Sequence, residues 1–160
     1  MRFWIAFITA AAILSGGCGN PASKDKVSYV SAGDARMNTA MAGARSSVGT
    51  FVTALQSPKT GQEAFAIKMP FSDGSNTEHM WLSPVSYDGK NFQGVVNNEP
   101  EKVKTVKSGQ KVTVAPSEIS DWMYVDNGNL VGGFTMRVLR DTMTPAERAE
   151  FDKSVPFKVK

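Results

Sequence analysis

Apolar residues recur at spacings of three and four between positions 37 and 55, which is the period of an amphipathic helix. Asp34 stands where an N-cap belongs, and Ser57-Pro58 ends the pattern. The pattern predicts one long N-terminal helix that covers one side of a sheet; a partner-binding face is the alternative use of the stripe. The stripe consists of Met37, Ala40, Met41, Ala44, Val48, Phe51, Val52 and Leu55.

From position 63 the apolar residues fall into short segments, several of which alternate with polar residues in the period of a strand. Asp88-Gly89 and Asn127-Gly128 lie between such segments and are typical of tight turns. The pattern predicts an α+β fold with a small antiparallel, partly barrel-like sheet of about five strands. The predicted strands are 63–71, 78–87, 92–96, 111–114 and 119–125.

The C-terminal part predicts one more helix. Residues 130–139 continue as a strand, or as a strand followed by a helix, and Gly132-Gly133 is a candidate bulge where another backbone approaches closely. Residues 144–147 read Thr-Pro-Ala-Glu, a capping box with proline in the first turn. This capping box predicts a short C-terminal helix that runs to about Lys153.

Two of the three tryptophans, Trp81 and Trp122, lie in predicted strands. We expect both indoles to be buried in one shared core of the twisted sheet, with Gly94 leaving room for a ring to cross. Each ring would then contribute several kcal/mol through apolar burial. The alternative is a ligand groove, since aromatic walls with a few polar groups are typical of one.

The first residues have the pattern of an export signal. Arg2 precedes an apolar run over 3–14 that is too short to span a bilayer, which indicates a secretory signal. The small residues before Cys18 resemble the lipobox of bacterial lipoproteins, although Ser15 stands where leucine is commonest. That resemblance implies cleavage before Cys18 and acylation of this residue; ordinary signal-peptidase cleavage nearby is the alternative.

The expected organisation is a signal peptide at 1–17, a lipidated N-terminus and tether at 18–32, and a single domain at 33–160. Several acyl chains would hold the protein firmly at a membrane in the periplasm. Gly19, rather than aspartate, follows the cysteine, a pattern that favours the outer membrane over the inner. A soluble periplasmic or secreted protein is the alternative location.

Composition argues against several classes of function. A formal net charge of +3 on 160 residues is too close to balance to predict a nucleic-acid partner. The single cysteine, Cys18, cannot form an internal disulfide or a thiolate metal cluster. The single histidine, His79, leaves only a carboxylate-rich metal site, and no loop has EF-hand spacing. We therefore predict no metal and no cofactor.

Four lysines cluster in sequence between the third and fourth predicted strands and at the start of the fourth. Solvated lysines that protect a strand edge from pairing are the usual explanation. Contact with anionic lipid headgroups is the alternative, because the tether would already hold the domain at a membrane. These residues are Lys102, Lys104, Lys107 and Lys111.

Five short motifs follow one another along the chain. They are Glu78-His79-Met80-Trp81, Gly94 with Asn98 and Pro100, Lys107-x-Gly109, Ser120-Asp121-Trp122-Met123, and Gly132-Gly133-Phe134-Thr135. This ordered set resembles the YegJ-like domain family of bacteria, over roughly residues 35 to 157. The resemblance implies a domain of unknown function, found in small exported proteins and in longer intracellular ones, with no established activity.

The candidate functional cluster comprises Glu78, His79, Trp81, Asp121, Trp122 and Thr135. Neighbours in a strand point to opposite faces, so Glu78 and His79 do not easily serve one reacting atom. The structural expectation is a buried His79 bonded to a backbone carbonyl or to Asp121, which itself accepts backbone N–H bonds at a turn. We therefore favour a non-enzymatic module that binds an envelope protein or a small ligand. The alternative is a hydrolase-like enzyme that uses His79 with Glu78 or Asp121.

Overall fold

The computed structural model describes residues 34–160. The signal peptide predicted at 1–17 and the lipidated N-terminus and tether predicted at 18–32 lie outside this range. The described part is α+β, as predicted. Among residues 34–160, no helix is long and apolar enough to cross a bilayer. In chain order the elements are α1 (Ala35–Ser46), α2 (Val48–Gln56), β1 (Gln62–Ser72), β2 (Thr77–Tyr87), β3 (Phe92–Val96), β4 (Lys111–Val114), β5 (Asp121–Asp126), β6 (Asn129–Gly132), α3 (Phe134–Thr142) and α4 (Pro145–Ser154).

The predicted single N-terminal helix is not confirmed, because the stretch forms two helices that meet at Ser47. The backbone of Ser47 leaves helical geometry at φ −104° and ψ 7°, and its hydroxyl donates to the Gly43 carbonyl at 2.6 Å. A serine that bonds to its own preceding turn competes with the regular ladder, and nearby glycines lower the helix propensity further. The start is as predicted, since the Asp34 carboxylate caps α1.

The strands form one antiparallel sheet in the order β4-β3-β2-β1-β5-β6. It has six strands rather than about five, because residues 129–132 fold back onto β5 through the turn at Asn127-Gly128. The predicted partly barrel-like closure is wrong. The edge strand β6 does not reach β4; instead it forms a bridge between Asn129 and Lys158 of the C-terminal tail. The sheet therefore stays open.

One face of the sheet, which we call the roofed face, is covered along most of its width. Buried residues come from each of the strands β1 to β5, and α1, α2 and the loop 97–110 lie over them. Phe51 of α2 is the centre of this core, with ring centroids 5.6 Å from Trp122 and 5.8 Å from Phe92. The indole N–H of Trp122 donates to the Ala44 carbonyl at 2.9 Å and so fixes α1 to β5.

The second face has a smaller core beneath α3 and the C-terminal tail. Its buried residues are Ala66, Trp81, Met123, Val125, Leu130, Met136 and Phe157, and none of these comes from β3 or β4. Alternation along each strand leaves other residues of the second face partly or fully exposed. We call this uncovered part the open strip: Lys68, Pro70, His79, Pro84, Ser86, Gln93, Val95, Lys111 and Thr113.

Both predicted core tryptophans are buried, at 8% exposure for Trp81 and 3% for Trp122. The prediction that they share one core is wrong. Trp81 lies opposite Lys68 and Trp122 opposite Ile67, and consecutive residues of β1 point to opposite faces. Gly94 does not make room for an indole either; a Cβ there would lie 2.9 Å from the Cβ of Leu82.

The predicted close backbone approach at Gly132-Gly133 is confirmed, although it ends β6 and begins α3 instead of forming a bulge. The N–H of Gly133 donates to the carbonyl of Trp122 at 2.8 Å. Gly132 has φ +73°, and a Cβ on it would lie 2.3 Å from that same oxygen, so only glycine fits. The predicted capping box of the last helix is confirmed at Thr144 and Glu147.

Candidate functional site

Asp121 is fully buried at the start of β5, on the second face. One carboxylate oxygen accepts the N–H groups of Trp122 at 2.8 Å and Phe134 at 3.0 Å. The other accepts the N–H of Thr135 at 2.8 Å and its hydroxyl at 2.6 Å. The N-cap of α3 is Gly133, which has no side chain to offer, so Asp121 caps this helix from a neighbouring strand. The predicted backbone-capping role of Asp121 is confirmed.

Lys68 reaches this carboxylate only through a hydroxyl. Its Nζ lies 3.5 Å from Oγ1 of Thr135, which donates to Asp121 and therefore accepts from the ammonium. Salt bridges join Arg36 to Asp34, Arg140 to Asp152 and Lys153 to Glu150. Lys68 forms no salt bridge with another described residue. Lys68, Thr135 and Asp121 thus form a hydrogen-bonded series that crosses from β1 to α3 and β5.

Burial shifts the pKa values of Lys68 and Asp121, the two charged residues of this series. It raises the pKa of Asp121, against which the hydrogen bonds from Thr135, Trp122 and Phe134 act. Burial also lowers the pKa of Lys68, and the negative charge of Asp121 acts in the opposite direction. The two charges therefore depend on each other, as is usual for charged groups taken out of water.

Trp81 forms the floor beside the ammonium. The Nζ of Lys68 lies 5.4 Å from the centroid of the indole, within the range of a cation–π interaction. The backbone N–H of Trp81 donates to the side-chain oxygen of Asn98 at 2.7 Å, and its carbonyl accepts from the N–H of Asn97 at 2.9 Å. The loop after β3 thereby fixes β2 at the position of the indole.

His79 lies on the same face as Trp81, opposite Pro70 of β1, and its side chain is exposed. The prediction of a buried histidine bonded to a carbonyl or to Asp121 is therefore wrong, since no hydrogen bond joins its imidazole to another described residue. Partial desolvation, and then the positive charge of Lys68, lower the pKa of His79 from its usual 6.5. The imidazole is thus mostly neutral at pH 7.

Glu78 points to the opposite face, as the alternation predicts. Its carboxylate accepts the N–H of Glu101 at 3.0 Å and the N–H of Lys102, and so fixes the loop 97–110 over the roofed face. Trp122 also belongs to that face. Of the six candidate residues, the structure brings Trp81, Asp121 and Thr135 together and places His79 beside them on the open strip.

Sequence reasoning missed Lys68, which connects the three residues that do come together. Its signal is a lysine among the apolar residues of β1, between Ile67 and Met69. Charged residues are rarely buried in a central strand without a partner, so such a lysine points to a specific environment.

The arrangement offers hydrogen-bond donors and an aromatic surface, and neither Glu78 nor Asp121 provides a free carboxylate beside the imidazole of His79. The Asp121 oxygens are occupied by four donors, and Glu78 lies across the sheet. Within residues 34–160, no three side chains of histidine, cysteine, aspartate or glutamate gather as metal ligands would. Beyond Trp81, the open strip continues into a groove of about 340 Å³ between Pro84, Gln93 and Lys111.

Comparisons with known proteins identify relatives of uncharacterized function. A family model described as "Uncharacterized protein conserved in bacteria (DUF2314)" matches residues 34–158. The uncharacterized protein YegJ of Escherichia coli is 36% identical over 114 residues, which cover 71% of this chain and 72% of that protein. A Neisseria meningitidis protein, provisionally named an ankyrin repeat protein, is 44% identical over 90 residues; these are 54% of this chain and only 36% of that one. No solved structure matches significantly.

Proposed function

Since the chain belongs to the DUF2314 family of uncharacterized bacterial proteins, we propose that it is a non-enzymatic binding module of the cell envelope. In this proposal, acyl chains on Cys18 hold the domain at a membrane, more specifically the outer membrane, and the open strip binds a small ligand or an envelope partner. The family assignment supports the bacterial setting; the sequence pattern around Cys18 supports the envelope.

The observation that carries the proposal is the difference between the two faces of the sheet. The roofed face buries residues from five strands, whereas the second face has no buried core residue in β3 or β4. The groove left there has a volume of about 340 Å³, which is within the range of small-ligand sites. A sheet face that presents polar and cationic side chains around a groove is suited to binding.

The separation of the acid–base candidates supports a role without catalysis. A general acid and base must converge within hydrogen-bond reach of one substrate atom. Glu78 and His79 lie on opposite faces, and Asp121 is occupied as the cap of α3. Binding requires no such convergence, so it fits the arrangement better than hydrolysis does.

A thermal-shift screen of the purified full chain against small bacterial metabolites tests the binding face. A ligand that binds only the native state raises the apparent stability, so hits increase Tm. Ser86→Tyr partly fills the groove with a residue that suits a strand. Thr50→Tyr on the exposed side of α2 is the matched control.

We expect hits that stabilise the natural chain and Thr50→Tyr but not Ser86→Tyr. Hits that stabilise all three equally would place binding elsewhere and contradict the proposal. Separately, mass spectrometry of the protein from bacterial envelopes is expected to find an acylated Cys18 at the N-terminus. An unmodified Cys18, or a different first residue, would contradict the anchoring.

A further inference from the structure

We infer that Lys68 and His79, above the floor formed by Trp81, bind an oxyanion: the carboxylate or phosphate group of a small ligand. This inference rests on the proposed function, because it names the ligand class that the open strip takes.

The two donors lie on neighbouring strands at a distance that one anion can bridge. Lys68 pairs with Trp81, and Pro70 pairs with His79, so Lys68 and His79 are diagonal neighbours on one face. Diagonal neighbours in an antiparallel pair are about 7–8 Å apart at Cα, within reach of long side chains. A carboxylate or phosphate group, which has two to four oxygen atoms, can therefore accept hydrogen bonds from both Lys68 and His79.

The ammonium of Lys68 has more N–H donors than the described residues have acceptors for it. This ammonium carries three N–H groups, and Thr135 at 3.5 Å is the hydrogen-bond acceptor that the described residues provide. Asp121, the carboxylate that faces Lys68 from β5, is occupied by its four donors and makes no ion pair with Nζ. A half-buried ammonium without an adjacent anion is incompletely compensated, and an oxyanion would complete it.

His79 is exposed and has no hydrogen-bond partner among residues 34–160, so its imidazole is available to a ligand. The charged groups near it are Lys68 from β1 and, behind Thr135, Asp121 from β5; its neighbour Glu78 turns to the roofed face. An anion held between Lys68 and His79 would oppose the effect of the Lys68 charge and raise the pKa of His79. Binding and protonation of His79 therefore strengthen each other.

The rest of the open strip favours an anion as well. Its members include Lys68, Lys111 and His79, while the others are uncharged, so the strip itself contributes no carboxylate that would repel the ligand. Pro84, at the near end of the groove, lies three residues beyond Trp81 in β2, or roughly 10 Å along a strand. A ligand can therefore place its anionic group at Lys68 and its uncharged part in the groove.

The experiment follows the imidazole resonances of the full chain, purified without a histidine tag, by proton NMR. His79 is the only histidine, so the signal needs no assignment. Its pKa is measured in chloride at constant ionic strength and then with inorganic phosphate, with acetate, and with phosphatidylglycerol vesicles; phosphatidylcholine vesicles are the neutral control. We expect a saturable rise of about one pKa unit.

Lysine variants distinguish anion binding at a specific site from a general effect of the protein's positive charge. Lys68→Met keeps an unbranched apolar stem over the indole and is expected to weaken binding at least tenfold. Lys68→Arg keeps the cation and is expected to retain the rise. Dispersed methyl and amide resonances in the proton spectrum of Lys68→Met show whether that variant is folded. Lys107→Met removes an exposed lysine from the loop 97–110, which lies over the roofed face. This variant is the matched control and is expected to change affinity less than twofold.

A rise with phosphate or acetate assigns a free ligand, and a rise with phosphatidylglycerol vesicles alone assigns a lipid headgroup; both support the oxyanion site. The inference is overturned if no anion shifts the pKa of His79 saturably, or if Lys68→Met and Lys107→Met lose affinity equally. A different result is that metabolites raise the Tm of the natural chain but not of Ser86→Tyr, and yet leave the pKa of His79 unchanged. That result would support the proposed binding face and contradict only the oxyanion site.

Discussion

The two faces of the sheet are built from the same strands but carry different kinds of residue. On the roofed face, Phe51, Phe92 and Trp122 pack in contact beneath two helices and a loop. On the second face, the buried residues stop at Trp81 in β2, and exposed polar and cationic side chains continue across β3 and β4. We therefore expect the roofed face to supply most of the stability, whereas the open strip of the second face stays exposed.

The order of the chain explains this difference. The helix α3 begins directly after β6, an edge strand, and Asp121 fixes its first turn to β5. The C-terminal tail returns to β6 as well. Both elements thus cover the β6 side of the second face, while β4 at the other edge has no following helix to cover it.

The largest expected effect is on the roofed core. Phe51→Ala removes a fully buried ring that contacts three other aromatic residues, and we expect a loss of about 4 kcal/mol in the free energy of unfolding. Phe157→Ala removes the same side chain from the smaller core near the chain end and is expected to cost about half as much. Urea denaturation measures both; equal losses would contradict the assigned difference between the faces.

The second largest effect is expected when Asp121, which caps α3 from a neighbouring strand, is replaced. Asp121→Ala leaves the N–H groups of Phe134 and Thr135 without their acceptor and removes the negative charge that raises the pKa of Lys68, so we expect a loss of about 3 kcal/mol. Asp88→Ala is the matched control, because Asp88 also accepts two backbone N–H groups but in an exposed turn. Its loss should be clearly smaller in the same denaturation series; a comparable loss would argue against the capping role.

The glycine at the junction of β6 and α3 gives a smaller effect. Gly132→Ala combines a positive φ with a clash against the Trp122 carbonyl, and we expect a loss of about 2–3 kcal/mol. Gly89→Ala also has a positive φ, at +97°, but nothing lies within 4 Å of the added carbon, so about 1 kcal/mol is expected. Thermal unfolding should separate the two variants, and coincident curves would rule out the close approach.

The smallest effect concerns pH on the open strip. Because the pKa of His79 is lowered, the unfolded chain binds a proton more readily just below pH 6.5, and stability falls slightly as pH decreases through that range. The exposed position of His79 keeps this change small. Lys68→Met removes the neighbouring charge and should move the pKa of His79 upward in an NMR titration. A downward shift, or none, would show that the two side chains do not interact.

Local patterns predicted the elements best where alternation and turns agree. The bounds 92–96 and 111–114 are those of β3 and β4, and the capping box begins the last helix as expected. The break at Ser47 was not predictable from the apolar stripe, because it depends on a serine hydroxyl that bonds to the preceding turn. Periodicity describes which side of a helix is apolar, and it does not register such competition.

The candidate site was predictable only in part, because it depends on register across strands. The motifs identified Asp121 and Thr135, whose hydrogen bond crosses 14 positions of the chain. Whether Trp81 and Trp122 share a face depends on which residues of β1 lie opposite them, and a shift of one residue reverses the answer. Lys68 was missed for the same reason, since its neighbours come from β2, β5 and α3.

The most direct test of the account is a map of backbone amide shifts in the full chain as the first ligand from the metabolite screen is added. We predict that the shifted amides lie on the open strip, between His79 in β2 and Thr113 in β4, while those of α1 and α2 stay unchanged. Shifts confined to the helices over the roofed face would contradict the central claim that the uncovered face is the binding surface.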